Sequence, residues 1–219
     1  DILLCNALID MYAKCGELAK AKEVLESQTL RNVVTWNVLI SGCILGGQNA
    51  RALLLFERMK KQKVVIYPVK VTYLYILKAC GGLIAVQKGN LIYHDIISSG
   101  FDVDLMVGNS VIDFYAKCGL LQEARKVFTR LLIRDVVSWN SLIALYADQG
   151  LLEEALACLE QMEMSGTASP NAISYVHTIK ACVRGFSPLC KGMQLHDRII
   201  LHGHERDPFV SNALVDMYA

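Results

Sequence analysis

Apolar residues in this chain recur with the period of a helix, in pairs of short runs separated by a break. In the first pair Leu8, Ile9 and Tyr12 share a face, Gly16 interrupts, and Leu18, Ala21 and Leu25 resume the spacing. The same grammar returns when Val111, Ile112 and Tyr115 lead to Gly119 and then to Leu121, Ala124 and Phe128. Glycine at the break suits a tight turn between antiparallel helices, since it enters the left-handed region at little cost. Pro68 and Pro170 follow the second run of their units, where a helix has already stopped. Strand signals are weak: the β-branched stretches VVTW (33–36) and VVSW (136–139) run straight into helical patterns. The pattern predicts an all-α chain of helical hairpins.

The hairpins also repeat in sequence. DILLCNALIDMYAKCG from Asp1, DLMVGNSVIDFYAKCG from Asp104 and DPFVSNALVDMYA from Asp207 align at a constant offset of 103 residues. Between them NVVTWNVLISG (32–42) matches DVVSWNSLIAL (135–145), and VTYLYILKACGG (71–82) matches ISYVHTIKACVR (173–184). Each superrepeat therefore holds three units, of about 31, 36 and 36 residues. Units this small cannot bury their apolar faces alone and must stack, which predicts an α-solenoid of helix-turn-helix repeats, a right-handed superhelix lined by one helix of every pair.

Composition narrows the picture. A hydrophobic share of 53% excludes a disordered chain, and a net charge of +1 lacks the basic excess of a bulk polyanion binder. Lys70 and Lys78 interrupt the richest apolar stretch, Val64 to Val86, so no membrane span is expected. The opening residues read as an amphipathic element and not as a transit peptide, which places any targeting segment outside this sequence.

Eight cysteines contain no CxxC pair, so neither a metal site nor a disulfide framework is expected. The repeated pentapeptide YAKCG (12–16 and 115–119) suggests reactive thiols, with Lys14 and Lys117 activating Cys15 and Cys118. Its recurrence at the repeat offset favours buried packing thiols instead. A zinc deaminase needs H-x-E with P-C-x-x-C, and neither LHGHERD (201–207) nor SPLCKG (187–192) has that spacing. His94 and His196 recur in matched units, as architecture would require. No catalysis, cofactor or small-molecule substrate is expected of this chain.

Two families share the helical-hairpin layout. Trp139, Leu142 and Tyr146, followed by pairs such as Ala52 with Phe56 and Ala124 with Phe128, fit the tetratricopeptide pattern. Ile40 and Ile143 stand where that pattern places its helix-contact glycine, and a bulky branched residue argues against it. The phrases VVTWNVLISG, VVSWNSLIALYADQGLLEEAL, NALIDMYAKCGELAKA and YAKCGLLQEARKVF instead resemble the pentatricopeptide repeat family. Alternating short, standard and long units are similar to its plant-type subclass: S motif 2–32, P motif 33–69, L motif 70–104, S motif 105–135, P motif 136–171, L motif 172–207, and the start of an S motif at 208–219.

That resemblance implies sequence-specific binding of single-stranded organellar RNA, one base per repeat, in RNA editing or processing. It implies a mitochondrial or chloroplast location and possible editing-complex partners. The fifth and last residues of a motif are the implied base readers: Asn6 with Asn32, Asn37 with Val69, Asn109 with Asp135, and Asn140 with Asn171. Asn212 opens a further motif. The second residues Leu3, Val34, Met106 and Val137 would sandwich the bases. Asparagine with aspartate resembles a uracil reader, and asparagine with asparagine a pyrimidine reader. Val69 offers no hydrogen-bonding group, and the first P motif carries extra residues around KKQKVVIYP (60–68). The L motifs present Leu74 with Asp104 and Val176 with Asp207, outside the simple code. The implied footprint is pyrimidine, any, any, uracil, pyrimidine, any, from 5′ to 3′.

Three further readings stay open on sequence. The asparagines could be helix N-caps, less so Asn37 and Asn140, whose helices have Thr35 and Ser138 available as caps. Trp36 and Trp139 are read as core and not as stacking platforms. Lys14 and Lys117, about two turns beyond the asparagines, are candidate phosphate contacts, interrupted by Leu45 and Asp148 at the equivalent P-motif positions. A tetratricopeptide-like peptide-binding scaffold remains the alternative function.

Overall fold

The computed structural model describes residues 2–27, 32–62, 66–185 and 189–219, and every regular element among them is an α-helix. The chain forms two compact units, Asp1–Asp102 and Val103–Ala219. The first contains α1 (Ile2–Lys14), α2 (Leu18–Ser27), α3 (Val33–Leu45), α4 (Asn49–Lys60), α5 (Lys70–Gly82) and α6 (Val86–Ser98). The second contains α7 (Leu105–Lys117), α8 (Leu121–Arg130), α9 (Val136–Asp148), α10 (Leu152–Ser165), α11 (Ala172–Arg184), α12 (Leu189–Leu201) and α13 (Pro208–Tyr218).

Within each unit consecutive helices pair as hairpins, and the hairpins stack as a solenoid. The first helix of each hairpin lies on the first helix of the next: α1 on α3 on α5, and α7 on α9 on α11 on α13. The second helices α2, α4, α8 and α10 lean on the first helix that follows them. Positive φ angles of 79° at Gly16 and 70° at Gly119 make the turns that the sequence pattern places there. The stripe residues Ile9, Leu18, Ala21 and Leu25 are buried, as are Val111, Ile112, Ala124 and Phe128. Trp36 and Trp139 are buried too, and the Trp139 ring meets Phe128 edge-on at 4.8 Å between centroids. Both tryptophans are core residues, as expected.

Helix starts show a clear division of labour. Asn32, Asp104, Asp135, Asn171 and Asp207 precede α3, α7, α9, α11 and α13, and each side chain accepts a backbone N–H of the first turn. This corrects the cap assignment from sequence. Thr35 and Ser138 sit three residues inside the helix, where the backbone is already helical and a capping oxygen is out of place. Their hydroxyls face back toward the caps, Thr35 Oγ1 donating to Asn32 Oδ1 at 3.0 Å. In α9 the partnership is reciprocal, since the Asp135 N–H donates to Ser138 Oγ at 3.2 Å.

Successive second helices are tied by ion pairs, Arg58 to Glu26 at 3.1 Å, Lys60 to Asp95 at 2.6 Å and Arg198 to Glu163 at 2.6 Å, with Lys88–Glu57 and Lys191–Glu153 alongside. Exposed pairs of this kind each add little stability.

The cysteine expectation needs correction. All eight thiols are free, and Cys43, Cys80, Cys158 and Cys182 are buried, but Cys15 is exposed and Cys118 only half-buried. The pentapeptide carries its cysteine past the last helical residue, Lys14 or Lys117, beyond the packed stripe. Burial still pushes the Cys118 thiol up, so nothing activates it. In the extra segment of the first P motif, residues 63–65 lie outside the described residues. Among the described residues no helix is long and apolar enough to cross a membrane.

α3 packs on α1 at Gly42, where an added Cβ would overlap the Ala13 Cβ and crowd its Cα, while one at Gly46 meets only ordinary contacts. Gly42→Ala is expected to cost about 1–3 kcal/mol in urea unfolding, and Gly46→Ala much less. Equal effects would contradict this packing.

Candidate nucleic-acid interface

Side-by-side first helices bring the fifth residue of one to the N-terminus of the next. Asn109, on the second turn of α7, donates from Nδ2 to Asp135 Oδ1 at 3.1 Å, and its Oδ1 accepts from Ser138 Oγ at 2.7 Å. One hairpin later the arrangement repeats: Asn140 Nδ2 donates to Asn171 Oδ1 at 3.1 Å, and Ser174 Oγ donates to Asn140 Oδ1 at 2.6 Å. The residues paired by resemblance, Asn109 with Asp135 and Asn140 with Asn171, are thus in direct contact across the repeat boundary. None of the five asparagines at this position is an N-cap; all lie inside helices. The capping role falls instead on the last residues of the motifs.

The first unit differs. Asn6 and Asn37 occupy the same helical position in α1 and α3, but their Oδ1 atoms are buried without a hydrogen-bond partner. Asn32 Oδ1 is taken by the Thr35 N–H and hydroxyl, both at 3.0 Å. Val69 precedes α5 with no capping side chain, and its own N–H donates to Thr72 Oγ1 at 3.1 Å. Asn212 is exposed on α13.

Electrostatics sharpen the Asp135 site. Burial pushes its carboxyl up, yet hydrogen bonds from the Ser138 backbone and hydroxyl, from Asn109 and from the Val137 backbone together hold it below the usual aspartate range. Near neutral pH Asp135 is therefore a carboxylate, an acceptor with no proton to give.

A second row flanks these pairs. The second residues Leu3, Val34, Met106 and Val137 are apolar yet between 51% and 75% exposed. Val71, Ile173 and Phe209 occupy the equivalent place in α5, α11 and α13 and are exposed as well. Sequence reasoning named second residues only in the four complete S and P motifs and so missed these three, two in L motifs and one in the S motif begun at Pro208; the signal was the apolar residue two places after each cap. In the second unit the two rows enclose a groove of about 440 Å³, lined by Val137, Asn140 and Ser141 of α9, Ile173 and His177 of α11, and Asp113 and Lys117 of α7.

His177 was not foreseen either. Burial, with Lys180 adding, pushes its imidazole below the ordinary histidine range against the pull of Asp148, so it is neutral near pH 7. The candidate phosphate lysines are already engaged: Lys14 pairs with Asp10 and Lys117 with Asp113, each at 2.6 Å. Asp148, at the equivalent place in α9, holds Lys180 at 2.7 Å and Arg184 at 3.1 Å. The groove is accordingly nearly balanced in charge. Among the described residues no group of histidine, cysteine, aspartate and glutamate side chains could hold a metal ion.

Stacked two-helix repeats, each with an exposed apolar side chain at the second residue of its first helix, define a helical-repeat solenoid. The chain belongs to the pentatricopeptide repeat family: a PPR repeat family model matches residues 134–184, a pentatricopeptide repeat domain model matches 30–83, and a PPR repeat model matches 4–27 and 109–136. Curated relatives agree. An Arabidopsis thaliana protein named putative pentatricopeptide repeat-containing protein At3g15130 is 36% identical over 100% of this chain and 32% of its own length. The mitochondrial At3g09040 is 35% identical over 100% of this chain and 21% of its own, and the chloroplastic At1g11290 is 34% identical over 99% and 26%. The chain spans about a third or less of the length of these relatives. Among solved structures, the maize pentatricopeptide repeat protein PPR10 matches with a TM-score of 0.61 at 20% identity, over 98% of this chain and 36% of that one. PPR10 in complex with an 18-nt psaJ RNA element matches at 0.60, again at 20% identity, over 98% and 37%. These structures share the fold.

Because Asp135 titrates below its unfolded value, its contribution is fully present above the unfolded pKa and is lost as pH falls through the depressed one. Asp135→Ala is expected to cost about 1 kcal/mol at neutral pH, the usual value of a helix cap. The difference from wild type should shrink below about pH 4. Unfolding midpoints measured across that range check both; a pH-independent difference would contradict the carboxylate's role.

Proposed function

We propose that this chain is a stretch of plant-type S, P and L motifs, bounded as the sequence repeat suggests, that reads single-stranded RNA one base per repeat. The paired side chains at the repeat boundary, Asn109–Asp135 and Asn140–Asn171, carry this reading. In each pair one Nδ2–H of the asparagine remains uncommitted, and that of Asn140 lies beside an open groove flanked by exposed apolar residues. A base entering between Val137 and Ile173 would bury its faces against aliphatic carbon and turn its edge toward Asn140. Leu3, Val34 and Met106 would serve the other S and P repeats in the same way.

The pairs differ in what they accept. A pyrimidine edge offers carbonyl oxygen to the asparagine N–H. Uracil adds an N3–H that the Asp135 carboxylate can accept, whereas the lone pair at cytosine N3 would meet it as a second acceptor. Asn171 can donate or accept and so tolerates both. The expected footprint is pyrimidine, any, any, uracil, pyrimidine, any. The second place is open because Val69 offers Asn37 no partner, and Asn212 begins a further reader.

The RNA element bound in the PPR10 complex supports the RNA reading, and relatives named chloroplastic or mitochondrial support an organellar transcript as the target. A role as specificity module of an RNA editing or processing factor follows from the plant-type motif order. Near-balanced charge and lysines engaged by Asp10 and Asp113 predict a shallow dependence of affinity on salt, since few counterions are displaced.

Titration of labelled RNA carrying this footprint tests the proposal, with unrelated peptides as the competing ligand class. Replacing the uracil facing Asn109 and Asp135 by guanine should weaken binding, and Asn109→Ala or Asn140→Ala should each cost about five- to tenfold. Affinity indifferent to that base and to both variants, or tight peptide binding in its place, would contradict it.

A further inference from the structure

We propose that Ser138 and Ser174 are positioning residues that fix which amide atom of Asn109 and Asn140 is free to meet a base, and so set how sharply those two repeats discriminate; the inference rests on the base-reading function above. Four asparagines meet a following hairpin, and they fall into two classes. Asn109 and Asn140 have their carbonyl oxygens nearest the serine hydroxyls, at 2.7 and 2.6 Å against 2.8 and 3.1 Å from those hydroxyls to the cap Oδ1 atoms, and one N–H of each is committed to the cap residue. A single polar atom is left, the second N–H. Such an amide can only donate to a base.

Asn6 and Asn37 lack this lock. Threonine stands at the equivalent place and keeps the contacts to the cap residue, Thr35 Oγ1 donating to Asn32 and Thr72 Oγ1 accepting from the Val69 N–H, but neither hydroxyl bonds the asparagine oxygen. The two carbonyl oxygens stay buried with no donor, a costly state that an amide relieves by turning. These side chains can show a base either the oxygen or the nitrogen, and a reader able to accept as well as donate separates pyrimidine from purine less well. Ser138 and Ser174 are themselves fully buried, so they act through the asparagines and touch no RNA. Asp135 Oδ1 reinforces the choice in its repeat, because it already accepts the Ser138 N–H at 2.8 Å and would repel a carbonyl turned toward it. Discrimination should therefore be sharp opposite Asn109 and Asn140 and loose opposite Asn6 and Asn37.

Two measurements on the full chain test this. In the free protein, the side-chain amide protons of Asn109 should exchange slowly by NMR and faster in Ser138→Ala, a variant that keeps the backbone N–H capped by Asp135. In RNA binding, an oligouridylate series with one position at a time replaced by adenine or guanine should show that Ser138→Ala lowers the pyrimidine preference about fivefold at one nucleotide only. Ser174→Ala should do the same at the neighbouring nucleotide. Uniform weakening at every position, with each preference intact, would mark the serines as merely structural and overturn the inference. Faster amide exchange with unchanged preference would overturn it too while leaving base reading in place. A wild-type chain with no preference at any position would instead remove the base-reading function on which it rests.

Discussion

Within each unit the first helices of successive hairpins lie against one another, and in the second unit that packing brings the fifth residue of α7 and of α9 to the N-terminus of the next first helix. A helix start always has unsatisfied N–H groups, and here Asn32, Asp135 and Asn171 satisfy them. The cap oxygen then becomes the partner of the neighbouring asparagine in the second unit. Close packing is what allows this: Gly42 lies hard against Ala13, and Ser138 and Ser174 are wholly buried at the seams. Helix capping, hairpin stacking and the polar face of the groove are thus one arrangement seen three ways. A change that spread the helices would loosen all of them together.

In the proposed function each reading unit lies within one motif but spans the seam between two hairpins. Asn140 comes from one hairpin and Asn171 opens the next, while Val137 and Ile173 flank them from either side. The spacing of bases would then follow the spacing of helices, with no separate device needed to keep register. Charge plays a lesser part. Lys117 is matched by Asp113, and Asp148 by Lys180 and Arg184, so the proposed function draws its affinity from base edges and apolar faces more than from phosphates.

Much of this was legible in the sequence, because the apolar stripe and the 103-residue offset both report stacking directly. The tryptophans and the turn glycines fell where periodicity put them. The caps did not: Thr35 and Ser138 are good capping residues by type, and only the backbone shows that Asn32 and Asp135 stand at the boundary. Cys15 was misplaced because recurrence reveals that a position is shared, not whether it points inward. Within the candidate site, the asparagines came from the family resemblance, whereas their contacts with the serines depend on a neighbour about thirty residues away and leave no local pattern. His177 was invisible for the same reason, since its burial comes from the hairpins on either side.

In the proposed function the fifth and the last residue of a motif jointly choose the base. Asn171→Asp tests it most directly, because it gives Asn140 the partner that Asn109 already has. The quantity to measure is the ratio of affinities for uracil and cytosine at the nucleotide facing Asn140, before and after the change. The account predicts that the ratio rises to match the one measured opposite Asn109 and Asp135, with neighbouring positions unmoved. A ratio that stays the same, or that shifts equally at every nucleotide, would contradict it.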